Sequence, residues 1–189
     1  MIPSRRSLAL PLLFCLAATT SLATVVMALS MEELTTMAPV VVHGTVQRSV
    51  TNWTEDKRGI WTWTEVSVRE TLKGPRSATV LVKQPGGVLQ GIGQSVSGAA
   101  RFEAGEEVVL FLEPAVDERN AYVVLAMAAG KVTLEGTTGP KVARRNLAGL
   151  SFARRGGPGV AGPVPERETL GTAEAFLARI RAAAKGGAK

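Results

Sequence analysis

Alternation of apolar and polar positions dominates the middle of the chain. Over 40–50, Val40, Val42 and Val46 fall on one side of an extended segment, and Val41, His43, Thr45 and Gln47 fall on the other. Gly44 stands on the apolar side, where a missing side chain permits a bend or close packing. A second strand over 60–72 turns Thr64, Val66, Val68 and Leu72 inward, and Lys73-Gly74-Pro75 ends it. Further strands are predicted over 77–84, 107–113, 120–127 and 131–135, separated by Pro85-Gly86-Gly87, Gly105, Glu113-Pro114 and Gly130. Only Val108-Val109-Leu110-Phe111-Leu112 is apolar on both faces, so that strand should be the most buried. Residues 86–100 are Gly-rich and read as a long loop or an irregular strand.

Two helices flank these strands. Ser30-Met31-Glu32-Glu33 fits a capping box, in which the Ser side chain and the Glu three residues on satisfy exposed backbone amides reciprocally. Leu34 and Met37 give this helix an apolar side, and Pro39 stops it. Near the other end, Leu170, Ala173, Phe176, Leu177, Ile180 and Ala184 recur at helical spacing, with Thr169 or Thr172 as cap. The spacing predicts an amphipathic helix over 172–185 that docks its apolar stripe on the body. Five or six short strands behind one opening helix make the fold class mainly β: a small OB-like barrel, with a two-sheet β-sandwich as the alternative.

Charge and composition add a leader and a tail. Arg5 and Arg6 precede a run without charge from Leu8 to Leu29 that ends in Val26-Met27-Ala28, the order of a secretory signal. Cleavage is expected after Ala28, making 1–28 the signal peptide and the protein exported, to the periplasm or beyond. Ser4-Arg5-Arg6-Ser7-Leu8 resembles the opening of a twin-arginine signal, and an uncleaved N-terminal anchor is the alternative to removal. Residues 29–140, the barrel domain, hold 10 Lys+Arg against 13 Asp+Glu, whereas 141–189 hold 10 against 3. A basic tail therefore follows a mildly acidic body. Gly156-Gly157-Pro158-Gly159 and Gly162-Pro163-Val164-Pro165 make 141–171 read as a basic Gly/Pro-rich linker before the helix.

The scaffold motifs also carry a resemblance. Met31-Glu32-Glu33-Leu34, Pro39-Val40-Val41-Val42-His43-Gly44-Thr45-Val46, Leu72-Lys73-Gly74, Pro85-Gly86-Gly87 and the run from Phe102 to Leu112 together resemble a group of exported bacterial proteins of unknown function. The helix–strand opening is similar to the OB-like barrel of netrin modules and tissue inhibitors of metalloproteinases. The resemblance covers about residues 31–135 and implies a barrel scaffold. Those inhibitors insert an N-terminal Cys into a protease's zinc site; the single Cys15 lies within the leader here, so that mechanism does not carry over.

Chemistry-bearing residues are few. One Cys and one His exclude a disulfide framework, a Cys-based zinc site and a multi-histidine metal site. A hydrolase would need His43 with a serine and with Asp56 or Asp117, but no Ser occupies a Gly-x-Ser-x-Gly elbow. The pairs Glu32-Glu33, Glu106-Glu107 and Asp117-Glu118 sit at helix starts or turns, and no loop offers calcium alternating oxygen ligands. The reading is therefore not an enzyme, without catalytic residues, metal or cofactor, and without nucleic-acid binding.

The indoles are more telling. Trp61 and Trp63 lie opposite the inward side of their strand, and a reversal near Lys57 would set Trp53 across from Trp61 and Thr51 across from Trp63. Either a helix covers these rings, or Trp53, Trp61 and Trp63 form a platform for a sugar ring or a protein partner. The first function expected is thus a non-catalytic exported binding module for a protein or glycan of the cell envelope. The second is an envelope-tethered structural module whose basic tail makes peripheral contact with anionic lipid or polymer. A hydrolase using His43 is third.

Overall fold

The computed structural model describes residues 24–153 and 165–186. Its centre is a closed barrel. The strands β2 (Val40–Trp53), β3 (Ile60–Lys73) and β4 (Thr79–Pro85) form an antiparallel meander. A two-stranded ribbon, β5 (Gly87–Leu89) and β6 (Ile92–Gln94), then precedes β7 (Glu107–Pro114) and β8 (Ala121–Val124). The end of β7 pairs with β8, β8 pairs in parallel with β4, and β7 returns to β2, so the ring runs β7-β2-β3-β4-β8. Five strands closed this way are the OB-like barrel the alternation predicts, and closure removes the exposed edges of an open sheet. Val42, Val46, Val66, Val82, Leu110 and Leu112 fill the interior.

Outside the ring, β7 continues the sheet through β9 (Lys131–Glu135), β10 (Val142–Asn146) and β12 (Arg167–Thr172). Two helices cover this extension and the start of β2. The opening helix α1 (Met31–Met37) carries the expected capping box. The closing helix α2 (Ala173–Gly186) buries Phe176, Leu177 and Ile180 against Met31, Leu34, Val41 and Phe111. The docking expected of the amphipathic stripe is therefore observed. At roughly 1.5–3 kcal/mol for each large apolar side chain fully buried, Phe176 and Ile180 fasten the C-terminal segment to the barrel.

Several expectations need correction. The stretch 141–171 is no linker over its described parts: Val142–Asn146 and Arg167–Thr172 lie in the main sheet, and Leu150–Ala153 forms β11. Its Gly/Pro-rich core at 154–164 lies outside the described residues. Arg145 is buried in β10 because it faces Glu168 in register and donates to its carboxylate at 2.5 and 2.9 Å. Thr24–Met27, inside the expected leader, forms β1 and pairs in parallel with β11. The strand expected over 120–127 stops at Val124, since Ala126 and Met127 take left-handed conformations that turn the chain into β9. Finally, Val108–Leu112 is not alone in burying both faces. The start of β2 does so too, with Val42 inside the barrel and Val41 under the helices.

Candidate functional site

The outer face of the β2–β3 hairpin carries the indoles at one end and His43 at the other. The register places Trp61 opposite Asn52, Trp63 opposite Val50 and Trp53 opposite Ile60. The expected facing of Trp53 with Trp61, and of Thr51 with Trp63, is thus off by one residue. The reversal is set by Lys57, whose φ of 56° lies in the left-handed region, and by Thr54, whose amide donates to the Gly59 carbonyl. A one-residue slip normally moves a side chain to the other face. Trp53 ends its strand, however, and lines the same depression as Trp61 and Trp63.

That depression measures about 540 Å³. Strand β3 supplies Trp61 and Trp63, and β4 supplies Lys83, which pairs with Trp63 across the ladder. The β2–β3 turn adds Glu55 and Asp56, and the β7–β8 turn adds Asp117 and Glu118. Neither helix lines it, and both strand indoles are half-buried.

Lys83 organises the floor. Its ammonium lies 4.7 Å from the Trp61 ring centroid and 5.5 Å from that of Trp63, within cation–π range. The same ammonium donates to Asp117 at 2.6 Å and lies 3.7 Å from Glu118, and the Trp63 indole N–H donates to Glu118 at 2.9 Å. The hydrogen bond from Lys83 holds the Asp117 carboxyl below the ordinary carboxylate value. In the adjoining turn, the Thr54 hydroxyl does the same for Asp56. The result is a pre-set array: indole edges and carboxylate oxygens on the rim, with one ammonium locked between the rings. It can stack against a flat group and accept hydrogen bonds, and it contains no imidazole or serine nucleophile.

At the other end, His43 is 5% exposed. Its Nε2 is 2.7 Å from Glu107 Oε1. Glu107 also receives Arg69 at 3.1 Å and the Lys141 ammonium. Burial pushes the Glu107 carboxyl up, but the hydrogen bonds from Lys141 and His43 and the Arg69 charge outweigh it and hold it below its ordinary value. Glu70, paired with His43 across the ladder, takes both Arg181 nitrogens at 2.8 and 2.7 Å, and these bonds lower its pKa. His43 lines neither the indole depression nor a second, polar cavity. Ser95 and Ser97 line the other one, a polar basin of about 740 Å³ with Arg101, Lys131 and Arg144, whereas Asp56 and Asp117 sit in the indole depression. The parts a His43 hydrolase would need are therefore distributed over three places.

Sequence reasoning missed Lys83. Its signal is the register: once Trp63 is known to point outward, its partner on β4 must as well. No protein-family model matches this chain, and no curated protein is similar to it. Among the described residues no helix is long and apolar enough to cross a membrane, and no group of three or more His, Cys, Asp or Glu is placed to hold a metal ion.

Proposed function

We propose that this protein is a non-catalytic, exported binding module that recognises a protein or glycan of the cell envelope through Trp53, Trp61 and Trp63. One observation carries the reading. The three indoles line a single open depression on the second and third barrel strands and the two loops beside them. That is the surface on which OB-type barrels take oligonucleotides and oligosaccharides. Export favours an envelope protein or a sugar polymer over nucleic acid, and the resemblance to exported bacterial proteins with netrin-like barrels agrees with it.

The tail reading has less support. Lys141, Arg144, Arg145, Arg179 and Arg181 all engage carboxylates of the chain itself, which leaves few described cations of the C-terminal segment for lipid. The test is capture of envelope proteins and glycans by the parent and by Trp61→Ala/Trp63→Ala, with circular dichroism confirming a folded variant. Loss of capture in the folded variant supports the reading. Equal capture removes the indoles from the function.

A further inference from the structure

The strand β1 bears on where the leader ends. Among the described residues, Thr24–Met27 is the only strand paired with β11, in parallel register from Thr24↔Leu150 to Met27↔Ala153. The Thr24 amide donates to the Gly149 carbonyl at 3.2 Å, and its hydroxyl donates to the Ser97 carbonyl at 2.6 Å. Val26 packs on a cluster formed by Ala128, Ala129, Leu147, Leu150 and Phe152. Cleavage after Ala28 would remove all of this. It would strip β11 of its backbone partner and uncover Leu150 and Phe152, now 7% and 6% exposed.

The sequence offers an earlier exit. Ser21-Leu22-Ala23 places small residues three and one before Thr24. The apolar run Leu8–Ala18 then falls within the roughly 7–15 residues usual for a signal, and Thr19-Thr20-Ser21 supplies the polar stretch before the cut. Cleavage after Ala28 instead requires a longer run interrupted by these polar residues.

We infer that the leader is cleaved between Ala23 and Thr24, so that the mature chain begins with β1. Water adds across that peptide bond: Ala23 leaves as a carboxylate, and the Thr24 nitrogen takes up protons to become an α-ammonium. The new ammonium still faces the Gly149 carbonyl, which also accepts the Ser97 hydroxyl at 2.8 Å. A charged donor strengthens such a bond, so processing at this position reinforces the docking of β1.

The inference rests on the proposal that the chain is exported. The test is expression of the full chain in a bacterium that exports it, followed by intact mass and N-terminal sequencing of the extracytoplasmic product. The expected N-terminus is Thr24-Val25-Val26-Met27. In parallel, Ala23→Tyr should accumulate precursor, whereas Ala28→Tyr should leave the product's N-terminus unchanged. A product starting at Leu29, or a block by Ala28→Tyr alone, overturns the inference and leaves export standing. An uncut, cell-retained chain overturns both.

Discussion

The two ends of the β2–β3 hairpin present the same kinds of group and use them differently. Each has a carboxylate pair, a lysine and a ring system. At the His43 end, α2 lies over the sheet, and Glu107 and Glu70 are held by Arg69 of β3, Lys141 just before β10 and Arg181 of α2. At the indole end, among the described residues, neither helix lines the depression, and the charges come from two turns and one strand of the barrel itself. The lesson is that an imidazole beside a carboxylate can be a fastening, while the chemically quieter end retains open surface. Burial and cover separate the two, not residue type.

The largest effects should fall at the helix-covered end. Phe176→Ala is expected to cost about 3–5 kcal/mol, because it empties a fully buried site between α2, α1 and the sheet. Trp61→Ala should cost less than half of that, since its ring is only half-buried. Urea unfolding of the two variants checks the contrast, and equal losses would break it.

Next comes the hinge between the ends. A Cβ on Gly44 would run into the Ser67 carbonyl oxygen and press on Val66, where β2 and β3 shift register. Gly44→Ala should destabilise by about 1–3 kcal/mol, as overpacking does, with a lowered melting temperature as the readout.

Acid should then act through the His43 end. Glu107 and Glu70 have folded pKa values below the ordinary 4.5, so their stabilisation is complete above that value. It is lost as pH falls through their folded values. Melting temperature should therefore drop on acidification below about pH 4.5, and Glu107→Gln should flatten that limb while lowering stability at neutral pH. A variant whose acid limb stays as steep as the parent's would contradict the network.

The smallest effect belongs to Lys83→Gln. It removes one cation–π and ion-pair centre whose carboxylate partner Asp117 is exposed, and about 1 kcal/mol is expected, together with a shift in tryptophan emission. Unchanged emission would mean that the ammonium does not lie over the rings in solution.

Much of this fold is legible in the residues. The Ser30–Glu33 box, the two-residue period of β2 and β3, the glycine at 44 and the helical stripe of α2 each act locally, and local signals survive without knowledge of partners. The extension did not show itself because its inward positions on β10 are Ala143 and Arg145, one small and one charged. The distant Glu168, with the Ala129 carbonyl, makes the latter tolerable. The site was half legible: three indoles stand out by type, but their register depends on one left-handed residue in a turn. Lys83, on the next strand, is invisible to alternation.

The central claim is that the indole end is the docking face and the His43 end is structural. A photo-crosslinking side chain placed at Glu55, on the indole rim, and separately at Arg179, on the exposed side of α2, tests this in the native envelope. The account predicts a discrete adduct from position 55 that Trp61→Ala/Trp63→Ala abolishes, and none from position 179. An adduct from 179 alone, or one from 55 that persists without the indoles, would contradict it.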